Sequence, residues 1–149
     1  MKKLLCFGLI CVCGCSRKDA TPAYSDFTPI TGQFTVFESG VFRKSGHDTT
    51  AVLSNLQLRI NASTSSSDLD VYDFRGAIDA RETIEIQFAA PKSQAHSGSW
   101  AGVQVNTDTY FDGKRTNTHG NGPTAGTLTA NGNTFTASFD VAGLKGTLK

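Results

Sequence analysis

Beyond position 15 this 149-residue chain has no cysteine; Cys6, Cys11, Cys13 and Cys15 are its only four. Whatever follows them folds without a disulfide and offers no thiolate to a metal. Long apolar runs are missing too. The run Leu4–Val12 has nine residues, whereas a bilayer-spanning helix needs about 20. Neither sign of charge dominates: 14 Lys and Arg face 13 Asp and Glu, a net charge of +1. No basic stripe is present to attract nucleic acid or acidic lipid headgroups, so no nucleic-acid partner is expected. Helix-favouring stretches are absent. No unit repeats every 20–50 residues or so, which excludes a solenoid or propeller.

What is present begins with a leader. Lys2 and Lys3 precede the short apolar run, the pattern of a secretory signal peptide. At its end, Val12-Cys13-Gly14-Cys15 resembles the lipobox of bacterial lipoproteins. That resemblance implies cleavage before Cys15, a diacylglyceryl thioether on its sulfur and an acyl chain on the new amino group. Two or more acyl chains hold stably to a membrane, at roughly 0.8 kcal/mol per buried CH₂. Ser16 after the cysteine matches the Gram-negative pattern that permits outer-membrane sorting. Arg17-Lys18-Asp19 resembles the charged segment that follows the cysteine in Bacteroidota surface lipoproteins. The expected organisation is a signal peptide over 1–14, a flexible lipidated tether over 15–32 and one domain over 33–149.

The domain reads in period 2. Leu56, Leu58 and Ile60 alternate with polar residues, as do Ile84, Ile86 and Phe88. Phe34–Phe37 with Val41-Phe42, and Val103 with Val105, mark further strands. Leu69–Ile78 is strand-like but changes face: Leu69 and Val71 share one face, which Asp73 would follow inward, Tyr72 and Phe74 lie on the other, and a bulge near Tyr72 would resolve the conflict. Asn131-Gly132 reads as a type I′ hairpin turn pairing Leu128 with Phe135. A turn at Ala142-Gly143 pairs Val141 with Leu144, Phe139 with Gly146 and Ala137 with Leu148. Both turns put Phe135, Ala137, Phe139 and Val141 on one face. The expected fold is all-β: a small antiparallel barrel (calycin-like) or a β-sandwich of about 7–9 strands, ending in a three-stranded meander. The half from Glu82 to Lys149 resembles small Bacteroidota lipoproteins of unknown function, through Gly126-Thr127-Leu128-Thr129 and the alternating strand Asn133–Phe139. That likeness implies no functional residues.

Chemistry-bearing residues are few. Asp68, Asp70 and Asp73 are candidate calcium ligands, yet a solvated strand face opposite Leu69 and Val71 also explains Asp68 and Asp70. Asn106–Gly113 has part of a calcium loop's spacing, with Tyr110 at a ligand position. His47, His96 and His119 lie in loop-like segments without zinc spacing. Trp100 occupies the centre of Gly98–Gly102, so no nucleophile elbow forms there. Glu82 and Glu85 could be paired carboxylates, but a turn and an outward strand face account for them. Asp48-Thr49-Thr50 resembles the O-glycosylation site of exported Bacteroidota proteins. Trp100, Tyr110 and Phe111, beside an expected long loop at Lys114–Pro123, are the candidate binding residues.

These readings favour a non-enzymatic, lipid-anchored protein of the cell envelope, at the outer membrane. It would be an interaction or small-ligand-binding module, with no cofactor or catalytic residue and a protein or small apolar ligand as partner. The alternatives are a structural or assembly lipoprotein without a ligand pocket, and a hydrolase of the envelope. Whether the barrel is hollow or filled separates them.

Overall fold

The computed structural model describes residues 26–41, 43, 46–119, 126–141 and 143–149. The leader, the lipobox and Cys15 lie outside these residues. The fold is all-β. Its strands are β1 (Thr28–Pro29), β2 (Phe34–Glu38), β3 (Thr49–Val52), β4 (Ser54–Ala62), β5 (Leu69–Ala77), β6 (Glu82–Pro91), β7 (Gly98–Phe111), β8 (Lys114–His119), β9 (Gly126–Asn131), β10 (Thr134–Val141) and β11 (Leu144–Leu148). A turn at Gln94–His96 lies between β6 and β7. Every described pairing is antiparallel. The order is β1-β4-β5-β6-β7-β9-β10-β11-β2-β3, with β8 beside β7.

The sheet curls into a barrel because three strand positions are shared between its halves. β7 pairs with β6 from Gln104 onward and with β9 up to Val103. Its register shifts at Gly102, where φ is 67°. β3 pairs with β2, then runs through Leu53 into β4, which pairs with β5. The Leu53 N–H donates to the Phe34 carbonyl at 2.8 Å and the Ile30 N–H to Leu56 at 3.1 Å. The stretch β1–β2 therefore follows β3–β4 throughout and completes the ring. Asn55, at φ 52°, absorbs the bend where the β4–β5 register shifts; asparagine visits this left-handed region more readily than most residues.

Eleven strands are present where 7–9 were expected. The surplus arises because β1 and β2, β3 and β4, and β8 and β9 are successive pieces of three longer strand positions. β1 lies within the span expected to be tether, and Thr28 and Pro29 pair with Leu58 and Gln57. β8 takes Lys114–His119 of the loop expected over Lys114–Pro123, the rest of which lies outside the described residues. Asp112 and Gly113, at φ 50° and 74°, turn the chain as a two-residue hairpin, with the positive φ values a type I′ turn requires.

The C-terminal meander is present, with the β10–β11 pairs Val141–Leu144, Phe139–Gly146 and Ala137–Leu148 as expected. The β9–β10 register differs by two. Asn131 pairs with Thr134 and Leu128 with Ala137, so the turn residues are Gly132 and Asn133. Gly132 has φ 58° and Asn133 does not have positive φ, the pattern of a type II′ turn. A slip of two leaves the same side chains facing inward. β5 shows the opposite error. Its pairing with β6 is unbroken from Leu69–Pro91 to Ala77–Thr83, so no bulge forms. Tyr72 and Phe74 are fully buried inside, and Leu69 and Val71 face outward. Burying two large rings outweighs burying Leu and Val.

Four phenylalanines fill the barrel. Phe34–Phe74, Phe74–Phe88, Phe88–Phe139 and Phe139–Phe34 meet edge-on, with centroids 5.8, 5.8, 6.1 and 6.1 Å apart. A β-carbon at Gly146 would lie 2.7 Å from the Phe139 ring, and one at Gly126 2.6 Å from Val105. These glycines leave room for the rings. Nothing lies within 4 Å of a β-carbon added at Gly132, so a substitution there tests the backbone alone. Gly132→Val is expected to cost about 1–2 kcal/mol and to lower the melting temperature by several degrees. Gly132→Asn should cost less. A melting temperature unmoved by Gly132→Val would remove this turn as a determinant.

Candidate functional site

The period-2 pattern of the strands carries polar residues inward at both ends of the barrel. At one end Asp70, on the same face as Tyr72 and Phe74, is 4% exposed. Its Oδ2 lies 2.9 Å from Nδ1 of His96. The histidine reaches it through two successive left-handed residues, Ala95 at φ 55° and His96 at φ 50°. Non-glycine residues held there cost of order 1–3 kcal/mol each, which the surrounding contacts must offset. The imidazole sits edge-on to Tyr72 at 6.5 Å, and Tyr72 packs on Trp100 at 5.8 Å. Burial, and then the Asp70 charge, push the Tyr72 hydroxyl pKa up.

Beside His96 the barrel wall opens. β11 ends opposite Ala137, so Thr134–Thr136 of β10 extend beyond it. A cleft of about 730 Å³ lies between this stretch and the β1–β4 pair. Ile30, Leu58, Ile60 and Phe135 form its apolar floor, and Asp26, Arg59 and His96 stand at its rim. Phe135 joins the cleft to the core by packing on Phe74 at 6.0 Å.

At the opposite end Glu38, Arg43 and Glu82 form a buried cluster. Glu38 follows Phe34 and Val36 along β2 and is 1% exposed. Neither of its carboxyl oxygens has a hydrogen-bond donor. Arg43 Nε is 3.7 Å away, and the guanidinium is hydrogen-bonded to Glu82. Desolvation first, then the facing Glu82 carboxylate, raise the Glu38 pKa from 4.5 to about 7. The protonated form can donate to Glu82.

On the outer face Arg59 pairs with Asp73, and Arg75 with Glu85, whose other oxygen lies 3.4 Å from the Tyr110 hydroxyl. Both guanidinium groups lie over the Phe27 ring, at 4.2 and 4.3 Å. Together they hold the N-terminal segment that walls the cleft. Burial is the main cause that lifts Asp73 from 3.8 to about 6.

The expected site residues are dispersed. Trp100 stands behind His96, whereas Tyr110 and Phe111 lie toward the other end of β7. Phe111 there takes a cation–π contact from Arg81 at 4.3 Å. Lys114–His119, the described part of the expected loop, is strand. Asp68 is exposed and accepts from the Ser67 hydroxyl at 3.2 Å, while Asp70 turns inward to His96. The solvated-face explanation therefore fails for Asp70. Asn106–Phe111 is strand and Asp112-Gly113 its hairpin turn, so no calcium loop forms there. Glu82 and Glu85 point to different clusters. Asp48 accepts the Gly40 N–H at 2.7 Å. Among the described residues no group of three or more His, Cys, Asp or Glu could hold a metal ion. No helix among them is long and apolar enough to cross a membrane.

Sequence reasoning missed two groupings. Glu38 and Glu82 keep the parity of their inward neighbours, and that signal was available. Asp70–His96 had none beyond parity. No protein-family model matches this chain, and neither a curated protein nor a solved structure is similar to it.

The buried acids set a pH dependence. Folded Glu38 keeps its proton to about pH 7, against 4.5 for the ordinary group, so the folded state binds more protons between these values. Stability therefore falls as pH rises through that window. Asp73 adds to the fall between 3.8 and about 6. Glu38→Gln, whose amide can donate to Glu82, is expected to flatten the slope and to be the more stable protein at about pH 8 in urea melts. A slope unchanged by Glu38→Gln would show that Glu38 does not carry it.

Proposed function

We propose that this chain is a lipid-anchored protein of the cell envelope that binds a small, apolar-bodied ligand in the cleft beside His96, without catalysing a reaction. The observation that carries this reading is the cleft itself. About 730 Å³ falls within the range typical of ligand sites, and an apolar floor with a few polar rim groups is their usual composition. The phenylalanine-filled core supports a site in the wall rather than inside the barrel. The lipobox residues Val12–Cys15 support the anchor, and Ser16 the outer membrane. Ten residues lie between Cys15 and Asp26, where the cleft wall begins, a reach of at most about 40 Å.

A structural role in envelope assembly is the second reading. Val41 and Val52, 87% and 54% exposed near the β2–β3 edge, would be its contact surface.

Two outcomes are expected. Cys15→Ser should move the protein from the carbonate-washed membrane pellet to the soluble fraction, and Cys13→Ser should not. A Cys15→Ser protein that stays in the pellet overturns the anchor. N-phenyl-1-naphthylamine should bind with enhanced fluorescence, and Ile60→Glu should weaken it by about tenfold or more, equivalent to about 1.4 kcal/mol. Absence of binding, or binding indifferent to Ile60→Glu in a protein with wild-type melting, would favour the assembly role.

A further inference from the structure

We infer that the Asp70–His96 pair makes the cleft selective for a monocarboxylate on a flat apolar body, bound through the second imidazole nitrogen of His96. This rests on the cleft being a ligand site and names the class of ligand it takes. The histidine ring has two nitrogens. Nδ1 lies 2.9 Å from the buried Asp70 carboxylate. That contact sets the ring's orientation and makes Nδ1 the donor. The polar atom left for the cleft is Nε2. His96 is half-exposed at the cleft rim, with 53% of its side chain accessible. Its position depends on the left-handed Ala95 and His96 backbone. Strain of this kind persists where packing over-determines it, and it clusters at ligand sites.

The groups around the ring select the ligand's charge. Asp70 and Tyr72 face it from β5, and Asp26 and Arg59 share the cleft. Protonated, Nε2–H donates a charge-assisted hydrogen bond to a carboxylate; neutral, Nε2 is an acceptor and repels one. Asp70 behind His96, and Asp73 behind Arg59, already neutralise the nearby cations. A monoanion is therefore matched better than a phosphate dianion. Below the rim, Leu58, Ile60 and Phe135 offer surface to an apolar or aromatic body.

The test compares 2-naphthoate with 2-naphthylmethanol, which share a body and differ in the head, by calorimetry on the full chain. Naphthoate is expected to bind about tenfold tighter near pH 6. His96→Gln should abolish that advantage. In the wild type, naphthoate should raise the pH midpoint of the His96 ring resonance in NMR, by linkage. That measurement needs no variant. Equal binding of the two heads, a preference surviving in His96→Gln, or an unmoved His96 midpoint would overturn the inference while leaving the cleft as a ligand site. Failure of N-phenyl-1-naphthylamine to bind would overturn both.

Discussion

Four phenylalanine rings in a closed edge-to-face circuit are the constraint on which the rest of this barrel depends. Each ring comes from a different strand: β2, β5, β6 and β10. Burying one such side chain is worth about 1.5–3 kcal/mol, and each edge-on pair adds about 0.5–1.5 kcal/mol. No disulfide is available to the described residues, so this packing must do what cross-links do in many exported domains. It also dictates where function can sit. A filled interior leaves the ends and the wall, and both have unusual chemistry.

The two ends handle buried charge differently. At one, Glu38 and Glu82 share Arg43, and two acids on one base leave a carboxyl whose charge is poorly compensated. Such groups take up a proton rather than remain ionised. At the other, a single acid holds a single base, and the base keeps one nitrogen for the cleft. Buried ion pairs add little net stability; what they contribute here is a defined orientation for Arg43 and His96. Phe27, beneath the guanidinium groups of Arg59 and Arg75, extends the same logic to the N-terminal segment. It fixes one wall of the cleft through charges on the outer face.

Much of the fold was legible because a strand has period 2. The alternations at Leu56–Ile60 and Ile84–Phe88 name true inward faces, and the turn before Leu144 sets its register. The β9–β10 register was misread by two residues, since Asn-Gly and Gly-Asn offer neighbouring turns of similar quality. Parity survived the error, so Phe135–Val141 still faced inward. The face of β5 was misread because Leu69 and Val71 compete with Tyr72 and Phe74, and only packing against Phe34, Phe88 and Trp100 decides between them. β8 was missed because its polar residues carry no alternation, although Asp112-Gly113 marked its hairpin. At the candidate site, Glu38 and Glu82 were readable as acids at core parity. The aromatic trio is not brought together, because β7 is long enough to put Trp100 and Tyr110 near opposite ends of the barrel.

The sequence by itself determined an all-β domain, the inward set of most strands and the thiol-free core. Those properties depend on neighbours within a few residues, where periodicity and turn chemistry act. Tertiary structure alone decided the closure of the barrel, the filling of its interior and the meeting of Asp70 with His96. The last pair lies 26 residues apart. Its contact needs the β5–β6 register, the chain reversal after Pro91 and two left-handed residues in a row. A hydrogen bond of that kind has no local pattern to announce it, because every part of its geometry is supplied by strands packed elsewhere.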